Sequence, residues 1–259
     1  MTQSSWIVAI GDEVLSGHTL DTNSHWLAEQ LRQTPFPVGR IVVVSDSREE
    51  IAEVVGEGQR KGIARIFCCG GLGPTPDDRT VAALGWFLGA PLILDPGTLE
   101  RVRTRVQRMF DDGRISSPEP NQGNLKMALV PAGALVLRNP VGMAPPLAIP
   151  LPGEPLDRWL LVLPGVPREL RAAVAEEVIP VFCRGQSTTL YDEQHYSGVP
   201  ESQFYPVLTR LAEAHPGVRF GSYPQGQPGE VIIRACAGDG EALERAMRAL
   251  REQSPVIPS

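Results

Sequence analysis

From the N-terminal end through Leu88, short apolar runs alternate with helix-length stretches, and this rhythm constrains the fold more than any other feature. Trp6–Ile10, Val38–Val44 and Ala64–Cys69 read as strands. Between them, Thr22–Gln33 places Trp26, Leu27 and Leu31 on one helical face, and Arg48–Arg60 places Ile51, Val54 and Val55 on another. A further helix starts near Arg79 and runs to Leu88. Strand, helix, strand, helix, strand, helix predicts βαβ units around a mostly parallel sheet, with right-handed crossovers.

The middle is less regular. Pro96–Asp112 reads as a basic helix and Gln122–Ala128 as a short one. Ala134–Leu137 and Leu147–Ile149 look extended around a Pro-rich hairpin, and Trp159–Leu163 returns to a buried strand. Pro167–Val181 reads as a helix with proline in its first turn, where the missing N–H costs nothing. The pattern changes near Cys183–Ser187. Strand Thr188–Tyr196, helix Glu201–Ala214, strands Val218–Tyr223 and Glu230–Cys236, and helix Gly240–Arg251 follow. The expected organisation is therefore an α/β domain over 1–183 and a small α+β (β-α-β-β-α) domain over 187–259.

Composition removes several function classes. With 42% apolar and 21% charged residues the chain is globular in type. A net charge of −6 without a basic run speaks against nucleic acid, although a β-α-β-β-α order can resemble an RNA-binding module. No apolar stretch approaches the ~18–20 residues of a membrane span, and no signal-peptide core opens the chain. The four cysteines form no C-x-x-C pair, and Cys68 and Cys69 read as packing residues. A soluble cytoplasmic protein is expected.

Three segments follow predicted strands: Gly11–Gly17, Gly70–Asp78 and Pro164–Glu169. In an open α/β sheet, strand-to-helix turns of parallel strands share one edge, where ligands bind. The three stretches should therefore converge on one crevice. Gly70, Gly71, Leu72 and Gly73, with Thr75, form a loop whose amides can face an anion at the start of a helix, as in a phosphate cradle. Asp77 and Asp78 would repel a bare phosphate, and a divalent cation between them and the phosphate resolves the conflict. A helix N-cap beside a plain glycine turn fits the same residues. In the first segment Gly11, Asp12, Glu13 and Ser16 could hold metal, orient water or bind a ribose hydroxyl, or simply form a solvated loop. Asp21 reads as an N-cap, with Asn23 as a nucleotide contact of lower rank. Glu169 fits a general base or metal ligand, or a carboxylate complementing the helix dipole. Arg101, Arg105 and Arg108 fall on one helix side, where a solvated face paired with Glu or Asp is favoured over a phosphate clamp. Lys126 is taken as a phosphate or nucleotide contact, with a snorkelling surface lysine as the alternative.

The stretches Ile10-Gly-Asp-Glu-Val-Leu-Ser-Gly17, Asp21-Thr-Asn23, Gly70-Gly-Leu-Gly-Pro-Thr-Pro-Asp-Asp78, Asn139-Pro-Val-Gly142 and Leu163-Pro-Gly-Val-Pro-Arg-Glu169 together resemble the competence/damage-inducible CinA family. They match its N-terminal MoaB/Mog-like domain from about Ile7 to Val181, and Gly221-Ser-Tyr-Pro224 resembles the family's small connecting domain. The resemblance implies a three-layer α/β/α molybdopterin-binding-type fold and a ligand site at these loops. It implies metal-dependent hydrolysis of the pyrophosphate of ADP-ribose, or, as in Mog-type relatives, molybdopterin binding and adenylylation. By the matching motifs, Asp77 and Asp78 would hold metal or water, and Gly71 and Gly73 would form the phosphate loop. Asn139, Gly142, Pro164, Gly165 and Glu169 would complete the wall. The implied cofactor is a divalent metal such as Mg²⁺, with K⁺ as a second cation. The implied partners are a small-molecule nucleotide and further copies of the chain, as a homodimer or larger homo-oligomer.

Two departures stand out. Longer relatives carry a domain that deamidates nicotinamide mononucleotide, an activity not expected here. The family's Gly-Thr-Ala-Pro-Gly is Gly142-Met143-Ala144-Pro145-Pro146 in this chain, which keeps a non-catalytic nucleotide-binding or assembly module as a third reading.

Overall fold

The computed structural model describes residues 4–153 and 157–254. The chain divides into two compact units, Met1–Gln186 and Ser187–Ser259. The first is built on a six-stranded sheet comprising β1 (Ser5–Ile10), β2 (Val38–Val44), β3 (Arg65–Cys69), β6 (Leu135–Val136), β7 (Leu147–Pro150) and β8 (Trp159–Leu163). Their order is β2-β1-β3-β8-β7-β6. The first four strands in this order run parallel, and β7 and β6 run antiparallel to their neighbours.

The central strands are covered on both faces, which explains their unbroken apolar runs. Trp6, Val8, Ile66, Cys68, Leu160 and Val162 point into one core, with Ile51, Val54 and Val55 of α3 (Arg48–Arg60) and Ala83 and Leu84 of α4 (Thr80–Leu88). The alternate residues Ile7, Phe67, Cys69, Leu161 and Leu163 point into a second core. There they meet Leu27 and Leu31 of α2 (Thr22–Leu31) and Leu170 of α7 (Pro167–Ala173). The result is a three-layer α/β/α arrangement. Two buried arginines interrupt this interior: Arg65 is 2% exposed, ion-paired with Asp157 at 2.6 Å and stacked over Phe36, and Arg158 is 3% exposed.

Three elements differ from the sequence reading. The loop expected over 11–21 begins with a single helical turn, α1 (Asp12–Leu15). The helix expected over 167–181 is α7, then a π turn over Val174–Val178, then α8 (Ile179–Phe182). Pro180 has no N–H to return to the carbonyl four residues back, and the wider turn accommodates that gap. A two-stranded sheet of β4 (Leu92–Leu94) and β5 (Leu129–Pro131) was not expected, because three-residue runs fall below pattern detection. It accompanies the two middle helices, α5 (Pro96–Asp111) and α6 (Gln122–Lys126).

The second unit is an antiparallel sheet of β10 (Val218–Pro224), β11 (Val231–Ala237) and β9 (Leu190–Tyr196), in that order. Its core joins Val231, Ile233 and Ala235 to residues of α9 (Tyr205–Ala214) and α10 (Gly240–Gln253). Among the described residues no helix is long and apolar enough to cross a membrane.

Candidate functional site

The parallel strands β1, β2, β3 and β8 end on one edge, and there a cavity of about 560 Å³ opens. The three segments singled out in the sequence meet in it. Gly11 and Glu13 come from the end of β1, Gly70–Gly73 with Asp77 and Asp78 from the end of β3, and Pro164, Gly165 and Glu169 from the end of β8. Gly142 comes from the segment between β6 and β7.

Close approach of these strand ends dictates Gly70. Gly70 has φ +116°, and a side chain there would meet the Ile10 carbonyl at 2.3 Å. Its amide donates to the Leu163 carbonyl at 3.0 Å, so Gly70 ties the ends of three strands together. At Gly142 a Cβ would fall 1.9 Å from Glu169 Oε2.

Past Gly70 the loop turns outward. Among the described residues, the amides of Gly71, Leu72 and Gly73 donate to no protein acceptor, although Leu72 is buried. Gly71 and Gly73 are half-buried, so this run of donors is open to water or a bound acceptor. The loop is fixed from behind instead. Asp78 Oδ2 accepts from the Thr75 amide at 2.9 Å and from its hydroxyl, and the Lys126 ammonium donates to the carbonyls of Gly73 and Thr75. Lys126 is thus a brace of the loop rather than a snorkelling surface lysine. Its pKa is pushed down, chiefly by burial, against the pull of Asp78 and Asp77. Asp77 is exposed, and hydrogen bonding within the loop, with help from nearby Lys126, holds its carboxyl below the ordinary range.

The opposite wall is organised by Asn139. Its Nδ2 donates to the Ala144 carbonyl at 2.8 Å and to Glu169 Oε2 at 2.7 Å, and its Oδ1 accepts from the amides of Val141 and Gly142. Glu169 therefore sits in the first turn of its helix with a fixed orientation.

Five of the predicted residues, besides Asn139, support the site without lining the cavity. The Asp12 amide donates to Asp46 Oδ2 at 3.0 Å, and Ser16 bonds His18 at 2.8 Å. Asn23 Nδ2 donates to the Gly165 carbonyl at 2.7 Å, while its Oδ1 is buried without a partner. Thr75 and Lys126 act through the loop. Asp21 caps α2 by accepting from the Ser24 amide.

Two charged lining residues lie outside the predicted set. Asp46 follows β2 on the same edge, so the rule that flagged the other strand ends would have found it. Burial raises its carboxyl pKa most, and the charges of Asp12, Glu13 and Asp77 raise it further. Arg105 of α5 is the second. The expectation that its stripe would pair with carboxylates is not met, since no salt bridge involves Arg101, Arg105 or Arg108 among the described residues.

Known proteins share this architecture. A family profile described as a probable molybdopterin binding domain matches residues 6–184, and one described as the middle domain of FAD synthase matches residues 189–257. Protein TK1472 of Thermococcus kodakarensis is 36% identical over 247 residues, covering 95% of this chain and 96% of its own. A protein of Aeropyrum pernix is 36% identical over 257 residues, covering 96% and 91%. The crystal structure of the protein CinA with unknown function, from Thermoplasma acidophilum, superposes with a TM-score of 0.55 at 28% identity, over 67% of this chain and 95% of that one. The chain therefore belongs to the probable molybdopterin-binding domain family, as a CinA-like protein whose MoaB/Mog-like domain is joined to a domain of the FAD synthase middle type.

Proposed function

We propose that the cavity hydrolyses the pyrophosphate of an ADP-ribose-like nucleotide with the help of a divalent metal. The observation that carries this reading is the run of unpaired amides at Gly71, Leu72 and Gly73, residues that line one cavity with Glu13, Asp46, Asp77, Asp78 and Glu169. Amides recruit a phosphate, and the carboxylates would repel it without a cation.

The donor set suits such a cation. All candidate donors are carboxylate oxygens, as a hard ion such as Mg²⁺ requires. The raised Asp46 carboxyl reports burial and mutual repulsion that a cation would relieve. No group of three or more acidic, histidine or cysteine side chains among the described residues is poised to hold an ion alone. Mg²⁺ is commonly held by one or two carboxylates together with substrate phosphates. Asp77 and Asp78 would hold the ion, which when bound neutralises phosphate charge and acidifies water.

The chain's own groups divide the remaining work. The Gly71–Gly73 amides bind the phosphate oxygens and stabilise charge developing on the leaving phosphate. Asn139 fixes Glu169, and Glu169 or Glu13 orients the attacking water and takes its proton. Water oxygen bonds to phosphorus, the bridging P–O bond breaks, and AMP and a sugar phosphate leave.

The test is to incubate the protein with ADP-ribose and Mg²⁺, Mn²⁺ or Co²⁺ and follow AMP by chromatography. Metal-dependent AMP that disappears in a folded Asp77→Asn variant is the expected result. No AMP from folded protein under any of the metals rules the reading out. Binding and adenylylation of molybdopterin is the second reading, supported by the description of the matching family. It predicts ATP consumption only when molybdopterin is supplied.

A further inference from the structure

The hydrolase reading leaves the arginines of α5 largely unused. Arg101, Arg105 and Arg108 share one face of that helix, and Arg114 follows just after it. Together they line an open cavity of about 470 Å³. All four are exposed, in a chain whose net charge is −6. Glu100 and Asp112 also line this cavity, yet none of the four arginines forms a salt bridge among the described residues. Arg101 donates to the Thr98 hydroxyl at 2.7 Å, and no side-chain hydrogen bond engages Arg105, Arg108 or Arg114. In the second unit, by contrast, i,i+4 arginines are matched, as in Arg248 with Glu244 and Arg245 with Glu241. Unpaired like charges at this spacing destabilise a helix, so the arrangement has a cost that a bound anion would offset.

Arg105 lines both cavities, the carboxylate-rich one and the arginine-rich one, so the two meet at this side chain. At a rise of about 1.5 Å per residue, the stripe runs about 6 Å from Arg105 back to Arg101 and about 4.5 Å on to Arg108, so it lies beyond the one residue the two cavities share. Guanidinium forks match phosphate oxygens two at a time, which makes a phosphate monoester the natural occupant.

We propose that Arg101, Arg105, Arg108 and Arg114 form a second anion subsite. The ligand of the main cavity is then a nucleotide pyrophosphate that carries a further phosphate monoester. This deepens the hydrolase reading and rests on it for the pyrophosphate alone.

The experiment compares dissociation constants of ADP-ribose and ADP-ribose 2′-phosphate by calorimetry, with Ca²⁺ replacing Mg²⁺ to hold turnover down. The intact chain and the Arg108→Gln/Arg114→Gln variant are used, with circular dichroism to verify folding. The 2′-phosphorylated ligand should bind about tenfold more tightly to the unaltered chain, as one added charge-assisted contact allows. The double variant should erase that preference and leave ADP-ribose affinity within about twofold, since both side chains are exposed. Equal affinities in the unaltered chain, or equal losses for both ligands in the variant, overturn the subsite. If neither nucleotide binds, the hydrolase reading fails separately and inorganic tripolyphosphate decides. Binding that drops in the double variant sustains the anion subsite, and no binding overturns it. Self-association that depends on the two arginines, without ligand preference, assigns them to a subunit contact and also overturns the proposal.

Discussion

Asn139 tests whether the cavity wall is held by one side chain. It is 8% exposed and makes four hydrogen bonds, to the Ala144 carbonyl, the Glu169 carboxylate and the amides of Val141 and Gly142. Asn139→Ala removes all four. At a net ~1 kcal/mol each the sum would be about 4 kcal/mol, but Val141 and Gly142 are only half-buried and water replaces part of the loss, leaving roughly 2–3 kcal/mol. All four tryptophans, Trp6, Trp26, Trp86 and Trp159, lie in the first unit, so tryptophan fluorescence in urea reports that unit without the second. With a slope of about 2–3 kcal/mol per molar urea, the midpoint should fall by about 1 M. Asn139→Asp should cost at least as much, because it replaces a donor with a carboxylate facing Glu169. A loss below about 0.5 kcal/mol at an unchanged slope would refute the reasoning and mean that the backbone holds the wall unaided.

Three further outcomes follow from the interior. Arg65 gives its guanidinium protons to Phe182, Ala64 and Asp157, so Arg65→Ala opens a cavity, leaves carbonyls without a donor and should cost about 2–5 kcal/mol in the same urea assay. Burial pushes the Asp157 carboxyl up, but bonds from Arg65 and the Trp159 indole outweigh it and the net pKa is lowered. The stability this provides is complete above the unfolded value of about 3.9 and is lost as pH falls through the lowered folded value. Asp157→Asn should accordingly flatten the acid limb of a stability-versus-pH curve. Cys68, Cys69 and Cys183 are free and buried, with the thiols of Cys68 and Cys183 pushed up to about 12, whereas Cys236 is half-buried. A thiol reagent should therefore label Cys236 in the native protein and the other three only on unfolding.

Much of the fold is legible because the central strands are buried on both faces. Ile7 and Val8 serve opposite cores, as do Phe67 and Cys68 in β3 and Leu160 and Leu161 in β8. Such segments must be apolar at every position, and that signal survives without any knowledge of partners. The parts that were missed depend on partners. The β4–β5 pair consists of three-residue strands that exist through each other's hydrogen bonds. The π turn before Pro180 depends on how a helix repairs one missing donor, which periodicity cannot express.

The site was legible to the extent that position on a sheet edge determines it. Strand-end loops announce themselves through glycine, and Gly70 must be glycine because three strand ends crowd around it. Division of labour within a loop is not announced. Asp77 and Asp78 are adjacent and chemically identical, yet Asp78 is tied to Thr75 inside the loop while Asp77 stands exposed. The charge pattern of α5 misled for a related reason. Glu100, Asp111 and Asp112 lie close in sequence to the arginines, so pairing was the natural expectation, but helical rotation and side-chain direction decide which charges meet. Sequence distance records neither. An unpaired arginine face is consequently visible only once the neighbours are placed, and Arg105, which it shares with the carboxylate cavity, gives it a functional reading rather than a solvated one.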